Sequence, residues 1–199
     1  MAGVLLVSTL LPLSLSAKEI TLLPQELPPT PLSRWQTMVG DVLVIDTKDN
    51  IGYLVHPEGR YTSFPVATGQ RRVVRYIGRI YNATTPTGNW TVLSKETKGD
   101  RITFGPLGTF FRLFDDEDTE QTPYGIHSHA YVDNMLSRAE RYRSMGCIIV
   151  SDEILAAIEV TYEINNDALP VVTVYGLDQD IVTFVSQIKA TSVREQKDL

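Results

Sequence analysis

The chain has 199 residues, of which 43% are hydrophobic and 21% charged, and its formal net charge is −6. This composition is ordinary for a globular domain. The acidic balance argues against a nucleic-acid-binding protein, which needs a basic surface for phosphate contacts. One local exception is a group of arginines that we predict to lie on a solvated loop or strand edge, namely Arg71, Arg72, Arg75 and Arg79. A single cysteine, Cys147, excludes a disulfide framework within these residues.

The first 38 residues are predicted to precede the folded domain. Residues 1–17 carry no charged side chain and combine a leucine-rich stretch with small residues, which is typical of a signal peptide or N-terminal anchor. Residues 18–38 contain several prolines and are predicted to form an extended linker. We therefore expect an exported protein that acts in the periplasm or cell wall, with its N-terminus close to the membrane.

Short strands separated by turn residues follow within a predicted domain of residues 39–177. Three apolar runs joined by turn-forming residues predict an opening meander of residues 42–46, 51–55 and 61–67. Further strands are predicted at residues 90–93, 102–104, 110–113 and 171–175. Since few helical periods lie between them, the pattern indicates a mainly β, largely antiparallel domain.

Two helices and one covering segment complete the predicted fold. Ser151 is a good N-cap for a helix whose apolar face includes Ile154 and Ile158. Apolar residues at helical spacing predict a second helix within the C-terminal residues 178–199. Residues 132–143 are predicted to form a loop or helix that covers a cleft.

The chemistry is concentrated in two segments that end in His127 and Cys147. A free thiol is mostly protonated at neutral pH, so a nucleophilic cysteine needs a neighbouring base such as an imidazole. Gly146 permits a backbone geometry in which successive N–H groups point at one oxygen and stabilise an oxyanion. The pattern predicts thiol-based acyl chemistry, although a free cysteine is also commonly a small buried core residue.

A metal site is an alternative interpretation of the same segments. His127 and His129 would share one face of a strand, and Cys147 or Asp133 would supply a third zinc ligand. No metal-binding motif supports three ligands at these positions. The sequence therefore predicts neither a metal nor an organic cofactor.

Four segments in order resemble the L,D-transpeptidase family, whose catalytic module is the YkuD-type domain. They read Phe-Pro-Val-Ala-Thr-Gly at 64–69, Thr-Pro-Thr-Gly at 85–88, Tyr-Gly-Ile-His at 124–127 and Ser-Met-Gly-Cys-Ile at 144–148. The resemblance extends over residues 40–176. It implies a sandwich-like, mainly β catalytic domain with a covering loop or helix and a C-terminal helix, acting without a cofactor.

The resemblance also implies individual roles. Cys147 would be the acylated nucleophile and His127 its general base, oriented by the main-chain carbonyl of Ser128. Backbone N–H groups around Gly146 would line the oxyanion hole. The residues predicted to line the substrate site are Tyr124, His129, Ser144 and Met145.

The implied substrate is the tetrapeptide stem of peptidoglycan. Cys147 would attack the carbonyl of the third residue and expel the terminal D-alanine, leaving a thioester. An amine of a second stem would resolve it into a cross-link, whereas water would make the enzyme an L,D-carboxypeptidase. The family has a histidine at Met145 and an arginine or asparagine at Ile149, so a catalytically inactive wall-binding module is a further alternative. We expect a monomer.

Overall fold

The computed structural model describes residues 28–76, 78–116 and 120–195, with side chains described as far as residue 188. The predicted signal or anchor segment, residues 1–17, lies outside the described residues, as do residues 18–27 of the predicted linker. Within the described part, no helix combines the length and hydropathy needed to cross a membrane.

Strands dominate the described chain. They are β1 (Val42–Asp46), β2 (Ile51–Val55), β3 (Tyr61–Pro65), β4 (Thr68–Gly69), β5 (Val73–Tyr76), β6 (Arg79–Asn82), β7 (Gly88–Thr97), β8 (Thr109–Asp115), β9 (Gln121–His127), β10 (Tyr142–Ser144), β11 (Ile148–Ile149) and β12 (Leu169–Val174). The α-helices are α1 (Val132–Leu136), α2 (Asp152–Ile164) and α3 (Ile181–Glu195). A short 3-10 helix, Leu32–Arg34, precedes β1.

Eight of these strands form one mixed sheet in the order β11-β9-β8-β7-β12-β1-β2-β3. The β1–β12 and β9–β11 pairs are parallel, and the other neighbours in this sheet are antiparallel. Outside it, β10 pairs with β4, and β5 forms a hairpin with β6. This architecture confirms the predicted mainly β fold.

The strand predictions fail where polar side chains turn the chain. The opening meander and β8 lie where they were predicted, but residues 102–104 form turns instead of a strand. Asp100 causes this, because its carboxylate accepts the N–H groups of Ile102 and Thr103 at 2.9 and 3.1 Å. The arginine-rich segment, expected on a loop or edge, forms the β5–β6 hairpin.

The large sheet has two unlike faces. The core face packs against α2 and buries a continuous apolar cluster that includes Leu43, Phe111, Ile126 and Ile158. On the opposite face, α3 covers only the part built from β1, β2 and β12, through residues such as Val44, Val172 and Val185. The rest of that opposite face, on β7, β8, β9 and β11, is called the site face below.

Part of the proline-rich N-terminal segment packs on the domain. The indole ring of Trp35 stacks on the imidazole of His56, with ring centroids 3.8 Å apart. Nδ1 of His56 lies 2.6 Å from Oδ1 of Asp41, and both side chains are fully buried. Sequence reasoning found no partner for His56, because the contact depends on a stacked ring from outside the sheet.

Candidate active site

The parallel pairing of β11 with β9 positions Cys147. Ile148 is opposite Ile126 and Ile149 is opposite His127, so the cysteine just before β11 lies beside Gly125. Successive strand residues point to opposite faces. Cys147 and His127 therefore both project from the site face, while Ile126 enters the core.

Short-range hydrogen bonds fix the loop that carries the thiol. Oγ of Ser144 accepts the N–H of Gly146 at 3.1 Å and donates to the carbonyl oxygen of Cys147 at 2.5 Å. Gly146 has φ of +118°, and a Cβ at this position would lie 2.5 Å from the ring of Tyr124. Glycine is therefore required by both conformation and space.

The buried side chain of Thr85 stabilises this loop through two hydrogen bonds. Oγ1 of Thr85 donates to the carbonyl oxygen of Gly146 at 2.9 Å and accepts the N–H of Gly69 at 2.9 Å. The sequence indicated only a turn at the Thr-Pro-Thr-Gly segment. Because Thr85 and Gly146 are 61 residues apart, no local pattern could reveal that this hydroxyl positions the cysteine loop.

The environment of His127 sets both its tautomer and its charge. Its Nδ1 lies 2.6 Å from the carbonyl oxygen of Ser128, so Nδ1 carries the proton and Nε2 keeps a lone pair. The rings of Phe104 and Phe110 pack on the imidazole, with centroids 5.0 and 5.8 Å away. Burial lowers the pKa of His127 to about 4, although the carbonyls of Ser128 and Thr103 oppose this shift. The imidazole is therefore neutral at pH 7.

Cys147 is also neutral in the resting site. Burial raises the pKa of its thiol, and three influences oppose this: a hydrogen bond from the Gly125 main chain and the positive charges of Arg112 and Lys98. Among the described residues, no hydrogen bond joins the thiol to His127. Cys147 lies diagonally across the β9–β11 pairing from His127, since Ile149 is the residue opposite His127. Contacts of this kind often shorten only when substrate binds.

Two residues that depart from the family pattern have structural partners here. The sulfur of Met145 accepts a hydrogen bond from Nε2 of Gln70 at 3.3 Å. Ile149 is buried in a small apolar cluster with Ala67 and Val132. A polar side chain at position 149 would lose the apolar packing that this cluster provides.

His129 lies beyond the end of β9. Its Nδ1 accepts the N–H of Tyr131 at 3.0 Å. Its side chain lines a surface cavity of about 590 Å³, together with Asp133 and the N-terminal residues of α2. Burial lowers the pKa of His129, and the negative charge of Asp100 partly offsets this. The described residues contain no group of three histidine, cysteine or carboxylate side chains arranged to hold a metal.

The sequence that forms this site identifies the protein family of the chain. Residues 40–165 match the family model of the L,D-transpeptidase catalytic domain, YkuD. The chain belongs to this family. The matched residues run from the start of β1 to the end of α2, so they include the cysteine loop, His127 and the core face that supports them.

Solved structures share the fold of this L,D-transpeptidase family member at low sequence identity. An L,D-transpeptidase from Xylanimonas cellulosilytica is 23% identical, with 74% of this chain and 65% of that chain covered and a TM-score of 0.49. Bd1075 of Bdellovibrio bacteriovorus is 12% identical, with 79% and 56% covered and a TM-score of 0.52. The helical cell shape determining protein Pgp2 of Campylobacter jejuni is 16% identical, with 77% and 55% covered and a TM-score of 0.47.

The chain therefore spans less than two thirds of each of these solved chains. The comparison with curated proteins gave no match.

Proposed function

We propose that this protein is a cysteine-dependent L,D-transpeptidase that cross-links the tetrapeptide stems of peptidoglycan. The observation that carries the proposal is the arrangement around β9 and β11. It sets a thiol on a glycine-shaped loop beside a buried imidazole whose Nδ1 is committed to the Ser128 carbonyl. Family membership supplies the reaction class to which this arrangement belongs.

In the first step, the Cys147 sulfur attacks the carbonyl of the third stem residue while Nε2 of His127 takes the thiol proton. The peptide bond to the terminal D-alanine then breaks. His127 returns the proton to the departing amine, and the acyl group remains on sulfur as a thioester. In the second step, an amine of another stem attacks the thioester, His127 accepts the proton of that amine and passes it to the departing thiolate.

The neutral resting pair suits this order of events. With a pKa of about 4, His127 is unprotonated across the neutral range and available as a base. The thiol has a raised pKa, so it loses its proton during attack and not before substrate arrives. A half-buried thiol that stays protonated between turnovers is also less open to oxidation than a standing thiolate.

The oxyanion is assigned to the main-chain N–H groups of the cysteine loop. The N–H of Gly146 donates to Ser144 Oγ in the resting loop, which leaves the N–H groups of Met145 and Cys147 as the donors we propose. Gly146 contributes the positive φ that turns the loop, and Tyr124 forms a wall against it.

The experiment compares wild type with Cys147→Ala on a purified tetrapeptide stem, with and without a tripeptide stem as acceptor. Cross-linked product and free D-alanine, formed only by wild type, support the transpeptidase. D-alanine release without cross-linking would identify an L,D-carboxypeptidase. A folded wild type that releases no D-alanine and forms no acyl-enzyme by intact mass would identify an inactive wall-binding module, with Met145 as the first residue to revert to histidine.

The substrate sets the expected location. Peptidoglycan stems are cross-linked outside the cytoplasmic membrane, so we propose that the protein is exported through its N-terminal segment. Wall cross-linking would give the protein a role in cell shape, which deletion of the gene and microscopy of the cells would test.

A further inference from the structure

Three charged side chains on the site face, Glu96, Lys98 and Arg112, form what we call the charge cluster. The carboxylate of Glu96 accepts from Nε and Nη2 of Arg112, the latter at 3.0 Å, and from Nζ of Lys98 at 2.5 Å. These hydrogen bonds lower the pKa of Glu96 to about 2, so it is ionised. Two cations sharing one carboxylate leave one positive charge in excess.

The cluster is separated from Cys147 only by strand β9 and an aromatic ring. Arg112 is opposite Gly125, the residue beside which Cys147 lies. Gly125 has no side chain, and the ring of Phe110 occupies its place, since a Cβ there would lie 2.3 Å from that ring. Nζ of Lys98 and Cζ of Arg112 each lie 4.9 Å from the centroid of the same ring. Phe110 therefore lies against both cations and against Gly125, the residue beside Cys147.

The two cations differ in how firmly they are held. The side chain of Arg112 is 13% exposed, and its Nη1 also donates to the carbonyl oxygen of Thr122 at 2.7 Å. Lys98 is 28% exposed and carries three N–H donors, one of which points at Glu96. Arg112 and Glu96 are therefore a fixed support, and Lys98 is the member able to contact a ligand.

We propose that the charge cluster is a carboxylate-binding subsite for the donor stem, with Lys98 as the contacting residue and Glu96 and Arg112 as positioning residues. This rests on the proposed function. Two carboxylates lie close to the attacked carbonyl of a tetrapeptide stem. One belongs to the terminal D-residue, and the other to the side chain of a diamino diacid at the third position. Either one would neutralise the excess positive charge beside the ring of Phe110.

Equilibrium binding to the Cys147→Ala protein separates these sources without turnover. The ligands are a tetrapeptide stem, its C-terminal amide and its third-residue side-chain amide, and the readout is titration calorimetry. A charge-assisted hydrogen bond at a partly exposed site is worth about a tenfold change in Kd. We expect amidation of one of the two carboxylates to weaken binding by about this factor.

Lys98→Met in the same background removes the charge and keeps an apolar stem over Phe110. Lys98→Met is expected to weaken binding of the unmodified stem by the same factor. It should leave unchanged the binding of the amide that already binds more weakly to the protein with Lys98. Lys95→Met is the matched control, because Lys95 lies in β7, just before Lys98 in the chain, but projects from the core face toward Glu159 and Glu163 of α2. It is expected to change none of the three affinities.

Equal binding of all three peptides, or no binding of any, would overturn the subsite, and so would a Lys98→Met protein that still distinguishes acid from amide. The turnover assay with wild type is independent of this outcome. If wild type releases D-alanine but the binding assay shows no preference for the free acid, the proposed function is supported and the subsite is not. If the free acid is bound selectively but wild type releases no D-alanine, the subsite is supported and the transpeptidase activity is not.

Discussion

Strand β8 shows how differently the two faces of the sheet are used. Phe111 and Leu113 point into the core face, where both are almost completely buried among aliphatic and aromatic side chains. Phe110 and Arg112 point to the site face, where Phe110 packs on His127 and Arg112 is part of the charge cluster. Alternate residues of one strand thus divide between stability and chemistry.

The difference teaches what each face can tolerate. The core face gains stability from apolar area removed from water. This gain tolerates apolar replacements that conserve side-chain volume. The site face holds a buried imidazole, a half-buried thiol and a partly buried ion cluster, each of which costs free energy unless it is paired. Substitutions on the two faces should therefore separate loss of activity from loss of stability.

The largest loss of activity relative to loss of stability is expected for His127→Gln. Without the proposed general base, kcat/KM, measured as D-alanine release from a tetrapeptide stem, should fall about 10²- to 10⁴-fold. The free energy of unfolding at pH 7, from urea titration, should change by less than about 1.5 kcal/mol, because the replacement is polar and of similar size. Turnover within threefold of wild type would remove His127 from the mechanism.

The reverse pattern is expected for Phe111→Ala. Deleting this buried ring from the core face should lower the free energy of unfolding by about 3–5 kcal/mol. Because the ring points away from Cys147, kcat/KM measured well below the unfolding temperature should stay within a few-fold of wild type. A stability loss below about 1 kcal/mol would show that the cluster around α2 repacks.

A pH titration of stability sharpens the contrast further. The folded pKa of His127 is about 4 and the unfolded value is near 6.5, so between these values the unfolded state binds more protons. Stability must therefore fall as pH decreases from 6.5 toward 4, by up to about 3 kcal/mol from this residue. Urea titrations of wild type and His127→Gln at several pH values isolate the effect, and parallel curves would contradict it.

The smallest effect is expected at the N-terminus of α2. Oγ of Ser151 accepts the N–H of Ile154 at 3.3 Å, so Ser151→Ala should lower the free energy of unfolding by about 1 kcal/mol. Replacement by glycine should cost only a few tenths of a kcal/mol and serves as the comparison. A loss of several kcal/mol would mean that Ser151 also supports the neighbouring site face.

The sequence predicted those parts of the fold and site that depend on local patterns. The opening meander, β8 and α2 were each signalled by periodicity, turn residues or a cap. The cysteine and histidine were signalled by the motifs around them. The β5–β6 hairpin was missed because its exposed arginines and apolar residues carry no alternation toward a core.

The rest depends on contacts between distant residues. Glu96 and Arg112 are 16 residues apart, and nothing in either segment shows that they meet on one face. The residues after Ser128 were read as a continuing strand, but β9 ends at His127. His129 therefore lies beyond the end of the strand, where it lines a surface cavity with Asp133.

The hydrogen bonds of Thr85 also bear on how the protein folds. They join Thr85 to Gly69 and to Gly146 of the cysteine loop, which lie 16 and 61 residues from it along the chain. Closing such long loops costs entropy that only the assembled sheet repays. The loop can therefore reach its working shape only after the long-range strand pairings have formed, and during refolding the return of activity should trail the burial of Trp90.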